Sequence, residues 1–252
     1  MKKEIILPVL GIAAGELMMF LNHPYIGLAI HVINLQAICL AIIFGRFSLS
    51  LKNVYQSLIL LLLMRIINLA MPQIFTITLL WYTLIYGVMF IPIYIFIKNQ
   101  QIQLKELGMD FRKFQFYLPA ALLIGFGMAM LEYRILHPAS LIENIGVSNL
   151  VLITIVMFVF VGAVEELMFR SILQTRLENV LGLKSGLILS SLLFGIMHAN
   201  YGIVNEILYA AFFGIILGYI FQKTRSFPFI LSIHGITNVF LFGILPILLA
   251  RP

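Results

Sequence analysis

Nine apolar runs follow one another with short breaks, and nothing else in the chain constrains its fold as much. They cover roughly 5–21, 26–45, 54–71, 73–97, 117–136, 149–169, 185–199, 203–221 and 227–249. Most approach the ~20 residues that a helix needs to cross the hydrocarbon core of a bilayer. Backbone polar groups in lipid must be satisfied within the segment, so runs of this length span as helices. With 62% hydrophobic residues, 10% charged residues and a mean hydropathy of +1.08, no soluble class fits. The expected fold is all-α, a polytopic transmembrane helical bundle of about 8–9 spans.

The basic residues orient this bundle. If the N-terminus is cytoplasmic, the inner segments carry Lys2, Lys3, Arg46, Lys52, Lys98, Lys105, Arg112, Lys113, Arg170, Arg176, Lys184, Lys223 and Arg225. The outer segments carry Arg134 and Arg251, and Arg65 falls inside a span. Thirteen against two is a strong positive-inside bias, which predicts an inner N-terminus and an outer C-terminus. The least secure break is Met71-Pro72-Gln73, between the third and fourth spans. Lys2 and Lys3 resemble the start of a signal peptide, but Ala13, Ala14 and Gly15 lie mid-run, so the first span reads as uncleaved. The single cysteine, Cys39, excludes a disulfide framework within the chain.

The longest polar stretch, Lys98–Phe116, interleaves apolar and basic residues. It reads as a cytoplasmic linker, either lying partly in the membrane interface or forming a plain solvated loop. It divides the chain into residues 1–116, transmembrane helices plus linker, and 117–252, a membrane core whose motifs fall within 149–243. Before the motifs, Glu16 and Arg65 sit at similar depth and are candidates to pair. His31 and Asn34 share a helix face as packing polars, and Gly11-x-x-x-Gly15 and Gly214-x-x-x-Gly218 permit close helix contact within the chain.

The chemistry concentrates in three places. In Val161-Gly-Ala-Val-Glu165-Glu166-Leu-Met-Phe-Arg170 two adjacent acids emerge from an apolar run. Ionisable groups inside a bilayer are expensive and mark function. Glu166 and Arg170 share a face at i,i+4, with the acid N-terminal. Glu165 projects about 100° away and is left without that partner. Phe194 and His198, then His234 and Asn238, repeat the i,i+4 spacing in later spans. At ~1.5 Å per residue, Glu165, His198, His234 and Asn238 fall in one band near mid-membrane or somewhat inward. A single histidine in a span is usually packing; four polar groups converging from three helices are not.

Taken in order, Glu165-Glu166-x-x-x-Arg170, Phe194-x-x-x-His198 and His234-x-x-x-Asn238 resemble the motifs of the CPBP (CAAX protease and bacteriocin-processing, or Abi) family of intramembrane proteases. That family includes the type II CAAX prenyl endopeptidases and bacteriocin self-immunity proteins. The resemblance spans about residues 149–243 and implies a helical core with a catalytic cavity open to the cytosol. It implies that Glu165 and His198 activate water, that His234 and Asn238 stabilise the oxyanion, and that Glu166, Arg170 and Phe194 support them.

The residues fit that chemistry on their own terms. Peptide hydrolysis needs a base for water, a proton donor for the leaving amine and a donor for the oxyanion. Asp110 is the only aspartate, which excludes an aspartyl dyad within one chain, and no His-Glu-x-x-His or Gly-x-Ser-x-Gly motif occurs. The expected catalysis uses no cofactor. Its alternative is a divalent metal such as zinc held by Glu165, His198 and His234, since two nitrogens and one oxygen can serve a catalytic zinc. The expected activity is therefore an intramembrane endopeptidase of the cell membrane, acting on membrane-bound peptides such as CAAX tails or peptide precursors. Nucleic acid is not an expected partner. The alternatives are a non-catalytic membrane immunity or binding protein and a transporter. Transporters often carry repeats, and none is evident here.

Overall fold

The computed structural model describes residues 3–70 and 78–249, and among these it is all-helical. Nine rods follow in order: α1 Lys3–Phe20, α2 Pro24–Phe44, α3 Leu49–Ala70, α4 Leu79–Asn99, α5 Phe114–Leu136, α6 Val147–Leu181, α7 Leu183–Ile196, α8 Val204–Thr224 and α9 Phe227–Leu249. Each expected run has its rod, but seven rods have the length and composition to cross a membrane by themselves. Helix α1 carries Lys3, Glu4 and Glu16, and α7 has only 14 residues, about 21 Å of helix. The helix of the sixth run continues beyond its apolar stretch to Leu181, 35 residues in all, until Gly182 breaks it at φ 84°. The Met71-Pro72-Gln73 break and the charges of Lys2 and Arg251 lie outside the described residues.

Helix α9 is the central post. Every residue from Phe227 to Val239 except Leu231 is buried. Small residues let its neighbours approach. A Cβ at Gly125 of α5 would lie 2.8 Å from Ile236, and one at Gly235 would lie 2.5 Å from the Phe158 ring of α6. The Gly214 and Gly218 faces of α8 meet Ser191, Leu187 and Gln174, while Gly11 and Gly15 of α1 meet Asn34 and His31 of α2. Both small-residue motifs therefore serve packing within the chain.

Two buried ion pairs brace the bundle. Arg65 grips Glu16 with two bonds, Nε to Oε1 at 2.7 Å and Nη2 to Oε2 at 2.8 Å, and His31 Nε2 lies 3.2 Å from Glu16 Oε1. Asn34 donates to the Pro8 carbonyl at 2.9 Å. Arg170 Nη1 donates to Glu166 Oε1 at 2.7 Å.

The segment between α4 and α5 folds onto the ends of the rods near 171 and 227. Ile102 and Leu107 are buried, whereas Leu104, Phe111 and Phe116 are exposed. Ser171 donates to the Leu107 carbonyl at 2.8 Å, and Phe227 N–H to that of Gly108 at 2.8 Å. Gly108 is needed there: its φ is 78°, and a Cβ would sit 2.7 Å from Phe221. On the exposed part, Arg112 lies 2.7 Å from Asp110 and holds its carboxyl down at about 2.

Candidate active site

Helices α6 and α9 create the site where they cross. Gly162 leaves so little room that a Cβ there would lie 3.1 Å from Leu231 and 3.7 Å from the Gly235 nitrogen. One turn further along each helix, Glu166 meets His234. The backbone of α6 is unusual here: Val156–Gly162 and Leu167–Gln174 are π-helical, flanking the α-helical turn Ala163–Glu166. Such stretches occur often at functional sites.

The two glutamates have different surroundings. Glu166 is fully buried, and its Oε1 takes both Arg170 at 2.7 Å and His234 Nδ1 at 2.6 Å. Glu165 lines a cavity of about 240 Å³. Its Oε1 accepts a 2.6 Å hydrogen bond from Tyr86, and its Oε2 lies 3.6 Å from His234 Nε2. The expected Glu166–Arg170 pair is present, and Glu165 is the acid left facing open space.

Both histidines are held by their Nδ1 atoms. His198 was expected within the seventh span; it lies just past the end of α7, in the turn leading to Ala199–Tyr201. Its Nδ1 is 2.9 Å from the Phe194 carbonyl, which can only accept, so Nδ1 carries a proton and the neutral ring keeps its lone pair on Nε2. Phe194 links the parts, its ring centroid 4.9 Å from His198, 6.2 Å from His234 and 4.3 Å from the Arg170 guanidinium carbon. Asn238, one turn beyond His234, also lines the cavity, so all four expected polar groups border one space.

Sequence reasoning missed three contributors. Tyr86 comes from α4, whose apolar sequence gives little sign of its buried face. Glu132 of α5 lines the cavity and Glu206 of α8 lies beside it. The rule that singled out Glu16, an acid inside a span, applies equally to these two. Arg65 also reaches the site: besides Glu16, it donates to the Met197 carbonyl, next to His198.

The cavity is lined toward one end of the bundle. Its walls include Asn68 near the end of α3, Trp81 and Tyr82 at the start of α4, Glu132 near the end of α5, and Tyr201. These helix ends lie opposite the basic loops at 45–48, 100–113 and 225–226. With the cytoplasmic N-terminus that the charge bias predicts, these lining residues stand toward the outer ends of the rods, whereas the family resemblance implies a cavity open to the cytosol.

Among the described residues, no group of three or more His, Cys, Asp and Glu side chains stands in metal-holding geometry. The Nδ1 atoms of His234 and His198 are engaged by Glu166 and by the Phe194 carbonyl, which leaves the Nε2 atom of each ring available.

Compared with protein-family models, residues 147–240 match the one described as Type II CAAX prenyl endopeptidase Rce1-like. The matched stretch contains Glu165, Glu166, Arg170, Phe194, His198, His234 and Asn238. No curated protein and no solved structure matches the chain.

Proposed function

We propose that the chain is an intramembrane endopeptidase of the CPBP/CAAX protease family that cleaves membrane-bound peptides of CAAX or precursor type, a reading supported by the family match over residues 147–240. The observation that carries this reading is the unequal placement of the two glutamates. Glu166 is committed to Arg170 and His234, while Glu165 keeps a carboxylate edge on the cavity, oriented by Tyr86.

In the proposed reaction Glu165, with His198 Nε2, takes a proton from water as its oxygen attacks the peptide carbonyl carbon. The resulting oxyanion is stabilised by His234 and Asn238. The carbon–nitrogen bond then breaks, and the leaving amine takes the proton back from the Glu165–His198 pair. A cavity of about 240 Å³ admits several waters at ~30 Å³ each, or a peptide segment with one. No step requires a metal. We place the protein in the cell membrane with its N-terminus in the cytoplasm, which turns the cavity toward the outer face.

Purified protein in nanodiscs should cleave a defined lipid-anchored peptide, and Glu165→Gln should not. Binding without cleavage by the wild type would instead favour a non-catalytic immunity or binding protein.

A further inference from the structure

A second pair of acids borders the same cavity and has no part in the proposed hydrolysis. Glu132, 8% exposed, lines the cavity on α5. Beside it lies Glu206, in the first turn of α8 and fully buried. Among the described residues neither acid has a salt bridge, and neither oxygen of Glu206 has a hydrogen-bond partner. Two carboxyls in contact bond to each other only through a shared proton. The nearby groups bring no positive charge: Tyr209, within hydrogen-bond reach of Glu132, is neutral and donates to the Met128 carbonyl at 3.0 Å, and Arg65 is held by Glu16 and Met197.

Two acids brought together in a membrane interior without a cation are costly, and a purely structural pair would be expected to carry its own counter-charge, as Glu16 and Glu166 do. The missing component is a positive group. The cavity supplies its route, since Glu132, Tyr201 and Tyr209 form one wall of the space that Glu165 enters from another.

We propose that Glu132 and Glu206 form a subsite for an ammonium group of the substrate peptide, either a lysine side chain or a free N-terminal amine, held in the same cavity as the scissile bond. This rests on the peptide-cleavage reading of the site. The incoming cation replaces the shared proton, which leaves to solvent. A peptide bearing the charge a short distance from its scissile bond is thereby set in register with Glu165.

The test is binding, which does not require turnover. A lipid-anchored peptide series carries lysine at each position in turn, with norleucine as its neutral counterpart, each with a free or acetylated N-terminus. Dissociation constants are measured with purified protein in nanodiscs. The wild type should favour one lysine peptide, or the free N-terminus, by about tenfold or more. Glu132→Gln and Glu206→Gln should remove that preference while binding the norleucine peptide as before. Equal affinity across the wild-type series overturns the subsite, as does a preference that survives both substitutions. If one of the two variants fails to fold, the other decides, and a lysine preference that Glu132→Asp keeps but Glu132→Gln loses serves as the second reading. A charge preference without any cleavage would overturn the protease reading and leave the subsite standing.

Discussion

His234 rests on Glu166, with its Nδ1 2.6 Å from Oε1, and from that anchor turns its Nε2 toward Glu165 at 3.6 Å. One imidazole thus ties the acid committed to structure to the acid exposed to the cavity. Arg170 shares the same Glu166 oxygen, so the arginine, the histidine and both glutamates form a single buried array.

Breaking the array from the arginine side should show first in stability. A buried ion pair deprived of one partner loses about 3–5 kcal/mol. Arg170→Ala is expected to lower both the folded yield and the melting temperature in detergent. Unchanged melting would dissociate the pair from folding.

The two glutamates should separate cleanly in activity. Glu165→Gln keeps the shape and removes the base, so hydrolysis of a defined membrane-bound peptide should fall by about 10²–10⁴ with the fold intact. His198→Ala should be comparably severe, and the double variant little worse than either single one, because the residues act as a unit. Asn238→Ala should be milder, at about 10²–10³. Near-normal turnover in Glu165→Gln, with the loss found in Glu166→Gln, would reverse the roles.

Tyr86 offers a subtler check. Tyr86→Phe removes only the hydroxyl that orients Glu165 Oε1. Hydrogen bonds to charged groups contribute about 1.5–3 kcal/mol, so kcat should fall about tenfold or more while the melting temperature changes little. Full activity would make the contact incidental.

Metal dependence is decided by chelation. Purified protein treated with a strong chelator should continue to cleave. Complete loss of cleavage, restored by zinc alone, would transfer the chemistry to a metal.

Sidedness can be read by labelling. In a Cys39→Ser background, Asn200→Cys at the exposed turn beyond α7 should react with a membrane-impermeant maleimide added to intact cells. A reporter that works only in the cytosol should be silent when fused to the C-terminus. Protection of the cysteine together with an active reporter would invert the bundle and restore a cytosolic cavity.

The elements of this fold were readable because hydropathy marks each rod and i,i+4 spacing marks pairs within one rod, as for Glu166 and Arg170. The Glu16–Arg65 pair was readable too, because two opposite charges at one depth in lipid have few other partners. Tyr86 was not. Helix α4 is apolar on nearly all sides, so its rotation about its own axis, which decides whether Tyr86 meets Glu165, is set by packing against α6. The placement of the cavity was hidden for a similar reason. Depth along each helix follows from residue counting, but which side chains border one space depends on how the helices pack.

Arg65 of α3, held by Glu16 of α1, fastens the carbonyl of Met197, the residue before His198. These first helices lie outside the stretch that matches the protease family, yet they hold the turn that carries one of its motif residues. That limits how such a chain can be recombined. A transplanted copy of residues 147–240 would arrive with its histidine turn untethered, however faithful its sequence. A foreign set of leading helices would have to deliver a cation, already neutralised by its own acid, to that carbonyl, and a hydroxyl in the place of Tyr86 to Glu165. What the N-terminal half must pass on is thus a short set of attachment points, and the lipid-facing sequence between them is the part free to drift.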